Sequence, residues 1–231
     1  MRFSLLSVLF FLAAIPALAH EFWIAPQEYV IDTDQPVKAQ LRIGSNFDGA
    51  VQRFFKQQFT RFEVYHKGTP IAVEGRLGDD PALNIPALGD GLLIVVYEST
   101  DSVLTYRKPE LFANFVTHKG VPELIEQNRN RGFPVMDFRE KFRRFVKSLI
   151  AAGSGRGQDI SIGMRAEIVA LANPYTDELT KGFPVQVYYE GKPRPNAFLQ
   201  VFMRSPDGDV SVLDYHADNN GVANIQVIPG T

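Results

Sequence analysis

The first clear pattern along the chain is an alternation of apolar and polar residues at positions 37–43. This stretch reads Val-Lys-Ala-Gln-Leu-Arg-Ile, so every second residue is apolar. A period of two is typical of a β-strand that has one buried face and one solvated face. Turn-forming residues stand on both sides of the stretch, and it is therefore predicted to be one complete strand.

Two further stretches in the first hundred residues have β character. Residues 62–66 and 71–73 flank the turn sequence Lys-Gly-Thr-Pro, which predicts a hairpin. Residues 92–97 form a continuous apolar run that is short enough for a strand buried on both faces, and they are predicted to be the central strand. Residues 20–106 are thus predicted to form an N-terminal β-sandwich domain.

Near Pro109 the apolar spacing changes from a period of two to a helical period. Pro109 suits the first position of a helix, an apolar face follows it, and Gly120 stands where a C-cap is expected. A second short helix is predicted to start at Pro122. A third is predicted over residues 138–150, where six apolar residues fall at i, i+4, i+7, i+8, i+11 and i+12. Residues 107–152 are therefore predicted to be a helical insert.

A second β region follows a change in composition. Residues 153–159 are rich in glycine and predict a flexible linker. Residues 160–231 contain five short apolar stretches separated by turn sequences, a spacing that suggests an immunoglobulin-like or transthyretin-like sandwich. Such a sandwich usually has about seven strands, so this C-terminal domain is expected to be incomplete. The predicted fold is mainly β, with two sandwich domains and a helical insert between them.

Residues 1–19 have the pattern of a secretory signal peptide. A basic residue is followed by a long apolar run and then by the small residues Ala17 and Ala19 in A-x-A order. Cleavage after Ala19 makes His20 the first residue of the mature chain, whereas a competing cut after Ala17 leaves a leucine first. A protein processed in this way is expected to be periplasmic or secreted.

The composition argues against some classes of partner and limits the types of metal ligand. The formal net charge is −2, which offers no basic surplus for nucleic acid. No apolar run after residue 19 approaches the roughly 18 residues of a transmembrane helix, so no membrane span is predicted in the mature chain. The chain has no cysteine. Any metal ion must therefore be held by histidine, carboxylate or amino groups.

His20 is the sharpest chemical feature of the sequence. At a free N-terminus, a histidine offers two nitrogen atoms, its α-amine and its Nδ1 atom, which together can chelate a transition-metal ion. A single bidentate chelate leaves most of the coordination sphere to water. Tight binding therefore requires further ligands that the fold brings to His20.

The other histidines lie far apart in the sequence. His66 is predicted to be a surface residue, and His118 is predicted to stabilise the end of a helix. His216 is a stronger candidate because Asp214 lies on the same strand face, which Asp218 would join if the strand continued. His20, His216 and Asp214 are therefore the predicted metal ligands.

The sequence carries no recognised catalytic signature. It contains no G-x-S-x-G, P-loop or H-E-x-x-H motif and no glycine-rich dinucleotide fingerprint. Catalytic residues and organic cofactors are accordingly not predicted. A non-enzymatic protein is the favoured interpretation.

Five segments together resemble a known family. They are Ala-His-Glu-Phe-Trp at 19–23, Arg-Ile-Gly at 42–44, residues 142–149, residues 167–175 and Asp-Asn-Asn-Gly at 218–221. This combination resembles the bacterial domain of unknown function 4198 (DUF4198) over nearly the whole mature chain. The resemblance implies an exported protein with an association, in some relatives, with nickel or cobalt uptake. It also implies a C-terminally truncated member, because family members continue beyond the last of these segments.

Three functional hypotheses follow. The first is a periplasmic protein that binds nickel, cobalt or copper through His20 and works with a membrane metal-transport system or another periplasmic protein. The second is a structural module that binds a protein or polymer partner through its sandwich edges or helical insert, with no metal. The third is a copper oxidase in which His20 and a second histidine clamp the metal.

Overall fold

The computed structural model describes residues 21–134 and 136–227. The described chain is mainly β, which confirms the predicted fold class. In chain order, the described strands are β1 (Glu21–Pro26), β2 (Val30–Ile31), β3 (Val37–Ser45), β4 (Asp48–Gln52), β5 (Phe59–His66), β6 (Thr69–Ala72), β7 (Leu83–Ile85), β8 (Gly91–Ser99), β9 (Ser102–Tyr106), β10 (Phe138–Phe142), β11 (Phe145–Ala152), β12 (Ala166–Ala170), β13 (Phe183–Tyr189), β14 (Lys192–Pro193), β15 (Phe198–Arg204), β16 (Val210–His216) and β17 (Val222–Ile225). The described α-helices are α1 (Pro109–His118) and α2 (Leu124–Asn130).

The strands before residue 153 include two sheets that share one hydrophobic core. One sheet has the strand order β1-β3-β4, with β7 paired to β3, and the other has the order β2-β11-β8-β5-β6. Val37, Ala39 and Leu41 of β3 are buried and belong to the same apolar cluster as Val64 of β5 and Val95 of β8. Because successive side chains of a strand point to opposite faces, this alternation turns one face of each sheet toward the core.

The strand predictions for this region are confirmed. The alternating stretch at 37–43 lies in β3, and the predicted hairpin is the antiparallel pair β5–β6. The apolar run at 92–97 lies in β8, which is bordered by β11 and β5 and is buried on both faces. It is a central strand, as its continuous apolar sequence indicated.

The helix predicted over residues 138–150 is wrong, because this segment forms β10 and β11. Val146 and Ile150 face the shared core, whereas Phe145 and Leu149 pack on the opposite face of the same sheet. A strand covered on both faces carries apolar residues at odd and even positions, and spacings of four fit a period of two as well as a helix. The predicted insert at 107–152 is therefore not helical beyond α2.

The first two predicted helices are confirmed. Pro109 is the first residue of α1, and the N–H of Gly120 bonds to the carbonyl oxygen of Thr117 just after the helix, with Gly120 at a φ of +69°. This positive φ suits glycine, which has no Cβ to clash. The Phe112 ring of α1 lies 5.2 Å from the ring of Tyr106 at the end of β9. Through this contact α1 packs on the two-stranded β9–β10 ribbon.

The strands after residue 165 form a second, smaller β unit. One sheet has the order β12-β13-β14, with β17 paired to β13, and the other is the pair β15–β16. Val185 of β13, Leu199 of β15 and Ala223 of β17 share one buried cluster, so residues of both sheets contribute to a common core. The five strands predicted in this region are all present.

The segment between the two units is irregular, but polar contacts hold it. The amide of Asn173 donates to the carbonyl oxygens of Gly155 and Gly157, each at 2.9 Å. Asn173 is 1% exposed, so these bonds lie in the interior. The predicted linker at 153–159 is thus anchored to the second unit by buried hydrogen bonds.

Candidate functional site

The sheet formed by β15 and β16 has one face directed away from its own core. The antiparallel register places Phe198 opposite His216, Gln200 opposite Asp214 and Phe202 opposite Val212. These residues share a face because alternate strand positions point the same way. The other face carries Leu199 and Tyr215, which pack in the core of the second unit.

This outward face of β15 meets the first unit. The Nζ atom of Lys119, the residue after α1, donates to Oε1 of Gln200 at 3.2 Å. The Phe202 ring lies 6.2 Å from the ring of Phe47, which belongs to the β3–β4 turn. Arg204 donates to the carbonyl oxygen of Phe47 at 3.0 Å. Three polar or aromatic contacts therefore join β15 to the first unit.

Strand β1 enters the same junction from its N-terminal end. Its first residue, Glu21, has Oε1 3.6 Å from Nζ of Lys119. Two residues further along, the Trp23 ring lies 6.3 Å from the Phe47 ring. Gly49 makes room for this tryptophan, because a Cβ at that position would lie 2.8 Å from the Trp23 ring.

Four side chains at this junction form a continuous polar chain. Glu21 contacts Lys119, Lys119 donates to Gln200, and Nε2 of Gln200 donates to Oδ1 of Asp214 at 3.4 Å. We call Glu21, Lys119, Gln200 and Asp214 the polar chain. It connects the beginning of β1 in the first unit to β16 in the second.

Of the three predicted metal ligands, Asp214 belongs to the polar chain. Asp214 is its last member, and His216 lies on the same strand face, with its ring 5.4 Å from the Phe198 ring. His20 lies outside the described residues, but it immediately precedes Glu21, the first member of the polar chain. The fold thus brings Asp214 and the residue next to His20 to one junction.

Asp218 does not extend this strand face. It follows the end of β16 and forms a turn in which it accepts hydrogen bonds from the backbone N–H groups of Val222 and Asn220, each at 2.8 Å. These bonds lower the pKa of the Asp218 carboxyl below its ordinary value. The Asp218 carboxylate therefore stabilises this turn, which is the conformation that the Asp-Asn-Asn-Gly sequence favours.

The two remaining histidines have separate surroundings. Nε2 of His66 lies 3.0 Å from the carbonyl oxygen of Asp90. His118 is exposed and is the last residue of α1, directly before Lys119 of the polar chain. Within residues 21–134 and 136–227, no group of three histidine, aspartate or glutamate side chains is arranged to hold a metal ion.

Three members of the polar chain were not singled out in the sequence. Glu21 follows the candidate His20 directly, and this neighbourhood is the one sequence signal that could have marked it. Lys119 and Gln200 are 81 positions apart, and only the tertiary fold brings the residue after α1 next to β15. A contact of this range has no local signature in the sequence.

The described features define a β-rich protein with three hydrophobic clusters, a pair of short helices and a polar junction between its units. The chain belongs to the family described as a domain of unknown function (DUF4198), which matches residues 17–230. No curated protein matches the chain. No solved structure matches it either. Among the described residues, no helix is both long enough and apolar enough to cross a membrane.

Proposed function

We propose that this protein is a periplasmic, non-enzymatic metal-binding protein that holds Ni²⁺, Co²⁺ or Cu²⁺ through His20 at its mature N-terminus. It would take part in metal uptake or handling, together with a membrane metal-transport system or another periplasmic protein. The signal-peptide pattern of residues 1–19 supports export and a start at His20. The family description names no activity, so the proposal depends on the chemistry of the chain itself.

The observation that carries the proposal is the polar chain. It links Glu21, the residue after His20, through Lys119 and Gln200 to Asp214. One residue of a strand spans only about 3.3 Å. The residue that follows His20 in the sequence therefore belongs to the same junction as Asp214.

The donor types fit a borderline transition-metal ion. The α-amine and Nδ1 of His20 supply two nitrogen atoms, and Asp214 offers a carboxylate oxygen. His216 adds an imidazole on the same strand face as Asp214. Nitrogen ligands combined with a carboxylate suit Ni²⁺, Co²⁺ and Cu²⁺ better than Mg²⁺ or Ca²⁺, which prefer all-oxygen sites.

Calorimetric titration with Ni²⁺ and Cu²⁺ tests this proposal. Protein that starts at His20 should bind with a dissociation constant below about 1 μM, because two nitrogen atoms and at least one further ligand contribute. A form with one extra N-terminal glycine keeps the imidazole but moves the free amine off His20. Its affinity should fall at least about tenfold, which is a loss of about 1.4 kcal/mol.

Two point variants complete the experiment. Asp214→Asn and His216→Ala should each weaken binding, whereas Asp207→Asn, at an exposed turn between β15 and β16, is the matched control. If the glycine-extended form binds as tightly as protein that starts at His20, the N-terminal chelate is refuted.

A second function is favoured by a different observation. Val103 and Leu104 of β9 are 50% and 46% exposed, and Phe133 and Met136, beyond α2, are each 51% exposed. Exposed apolar residues mark an interaction surface where they form one contiguous patch. An interaction module would use this region for a protein or polymer partner and would not need His20. In that case Leu104→Lys should abolish association with the partner, and His20→Ala should leave it intact.

A further inference from the structure

A pocket of about 390 Å³ lies on the face of the β5–β8 sheet that is turned away from the shared core. Its walls are the turn between β5 and β6 and the segment 156–160, which leads to the second unit. We call it the basic pocket, and the side chains that shape it are Tyr65, Lys67, Leu92, Ile94, Arg156 and Ile160. Its volume falls in the range of about 300–1,000 Å³ that is typical of small-molecule sites.

The base of the basic pocket is apolar because of the strand register. Tyr65 of β5 lies directly opposite Ile94 of β8, and Leu92 precedes Ile94 by two residues on the same face of the sheet. Leu92 and Ile94 are 6% and 4% exposed, so they form the floor of the pocket. Ile160 adds an apolar side chain that is 41% exposed. An apolar portion of a ligand would therefore be removed from water against these residues.

The wall formed by residues 156–160 is held in place. The N–H of Leu92 donates to the carbonyl oxygen of Arg156 at 2.9 Å, and the buried amide of Asn173 donates to that of Gly157 at 2.9 Å. Glycine is required at position 157, since a Cβ there would lie 2.9 Å from the Cβ atom of Leu92. A wall that is already fixed lowers the free-energy cost of binding, because no loop has to be ordered.

The rim of the basic pocket carries two positive charges. Lys67 and Arg156 are exposed, and neither belongs to an ion pair between described residues. Asp90 lies near both, since the hydrogen bonds from Ser154 and the charges of Lys67 and Arg156 lower the pKa of the Asp90 carboxyl. Ser154 donates to both oxygen atoms of that carboxylate. Two cations and one carboxylate leave the rim positive, and none of the described residues that line the pocket is acidic.

We propose that the basic pocket binds a small organic carboxylate with an apolar chain, of the medium-chain fatty acid type. The carboxylate lies at the rim with Lys67 and Arg156, and the chain lies on Tyr65, Leu92 and Ile94. Charge-assisted hydrogen bonds at the rim favour an anion over a neutral or cationic ligand. The apolar base favours a ligand with an aliphatic body over a hydrophilic anion such as sulfate.

A nuclear magnetic resonance titration of the mature chain with sodium octanoate tests this inference. The amide signals of Gly68 and Gly157, which lie in the two walls, should shift with a dissociation constant of about 0.1–1 mM. Octylammonium keeps the chain but reverses the charge, and acetate keeps the charge but lacks the chain. Each should bind at least about tenfold more weakly than octanoate, because each loses one half of the recognition.

Three variants locate the site. Lys67→Gln and Arg156→Gln each remove one cation and should weaken octanoate binding about threefold to tenfold. Ile160→Glu places a negative charge beside the apolar base and should weaken it at least about tenfold. The matched controls are Lys192→Gln and Ile168→Glu, at exposed positions outside the basic pocket, and they should leave the affinity unchanged.

The amide spectrum of each variant shows whether it is folded, and the variants that fold decide the outcome. The inference is overturned if octanoate, octylammonium and acetate shift the same amides with equal affinity, or if octanoate shifts only amides outside the basic pocket. It is also overturned if the folded pocket variants bind octanoate as tightly as the parent. The inference does not depend on His20, so the glycine-extended form should bind octanoate with parental affinity whatever its metal affinity is. Loss of octanoate binding in that form would contradict the position of the site.

Discussion

Removal of the ammonium group of Lys147 should destabilise the protein strongly. Lys147 lies on β11, and its Nζ atom is 3.0 Å from Oδ1 of Asp159, 2.9 Å from Oε1 of Glu167 and 3.0 Å from the carbonyl oxygen of Ile160. The side chains of Lys147, Asp159 and Glu167 are 8%, 2% and 1% exposed. One buried cation thus serves two buried carboxylates where the two units of the fold meet.

The expected magnitude follows from what remains after the change. In Lys147→Met, both carboxylates stay buried without a cation. Asp159 keeps backbone donors from Ile160 and Ala170, and Glu167 keeps three donors from residues 161–163. Breaking a buried ion pair by removing one partner typically costs about 3–5 kcal/mol. Because the retained donors offset part of the loss, we expect about 3 kcal/mol, measured as a lower midpoint in urea at pH 7.

The pH dependence provides a second measurement. Burial raises the pKa of the Asp159 carboxyl above its ordinary value, even with Lys147 beside it. The folded state therefore holds this proton more firmly than the unfolded state. The free energy of unfolding falls as pH rises through the range between the two pKa values and is highest below that range. Without Lys147 the range should extend to higher pH, so the deficit of the variant should shrink as the solution is acidified.

A combined variant tests the electrostatic cause. Lys147→Met together with Asp159→Asn and Glu167→Gln removes all three charges and should recover much of the lost stability, because neutral side chains cost less to bury than unpaired carboxylates. Lys192→Met, at an exposed position, is the control. A loss below about 1 kcal/mol for Lys147→Met, or a loss that does not depend on pH, would refute this account.

Three further predictions concern export and packing. The intact mass of protein recovered from the periplasm should correspond to a chain that starts at His20, and a mass that retains two more residues would point to cleavage after Ala17. Phe145→Ala should lower the free energy of unfolding in urea by about 2–3 kcal/mol, because this partly buried ring packs on the outer face of β11; an unchanged midpoint would show that the ring packs on nothing. Gly49→Ala should cost about 1–3 kcal/mol and alter the fluorescence of Trp23, since the new Cβ would lie 2.5 Å from the carbonyl oxygen of Ile43; unchanged emission and stability would contradict the packing described.

Much of the secondary structure could be predicted because its signals are local. The strand at 37–43 shows a period of two, and α1 carries a proline at its first position and a glycine just beyond its end. Such signals arise from backbone sterics and from the burial of one face, both of which act within a few residues. For the same reason, the five strands of the second unit could be found between their turns.

Strand β11 could not be predicted from local signals. Its residues 145–152 pair with β8, about fifty positions earlier, and are covered on both faces. Two apolar faces remove the alternation that marks a strand, and the remaining spacing also matches a helix. Only the pairing of β11 with β8 decides between the two, and that choice depends on hydrogen bonds and burial across the whole sheet.

The residues of the candidate site fall into the same two groups, those with a local sequence signal and those without one. His20 could be proposed as a ligand from the sequence because signal-peptide cleavage and N-terminal chelation depend on adjacent residues. Asp214 and His216 could be proposed because they alternate on one strand. The meeting of Glu21, Lys119, Gln200 and Asp214 could not, since these residues come from β1, the end of α1, β15 and β16. Their contacts exist because the two units pack against each other, and that packing depends on the tertiary structure and not on any local sequence pattern.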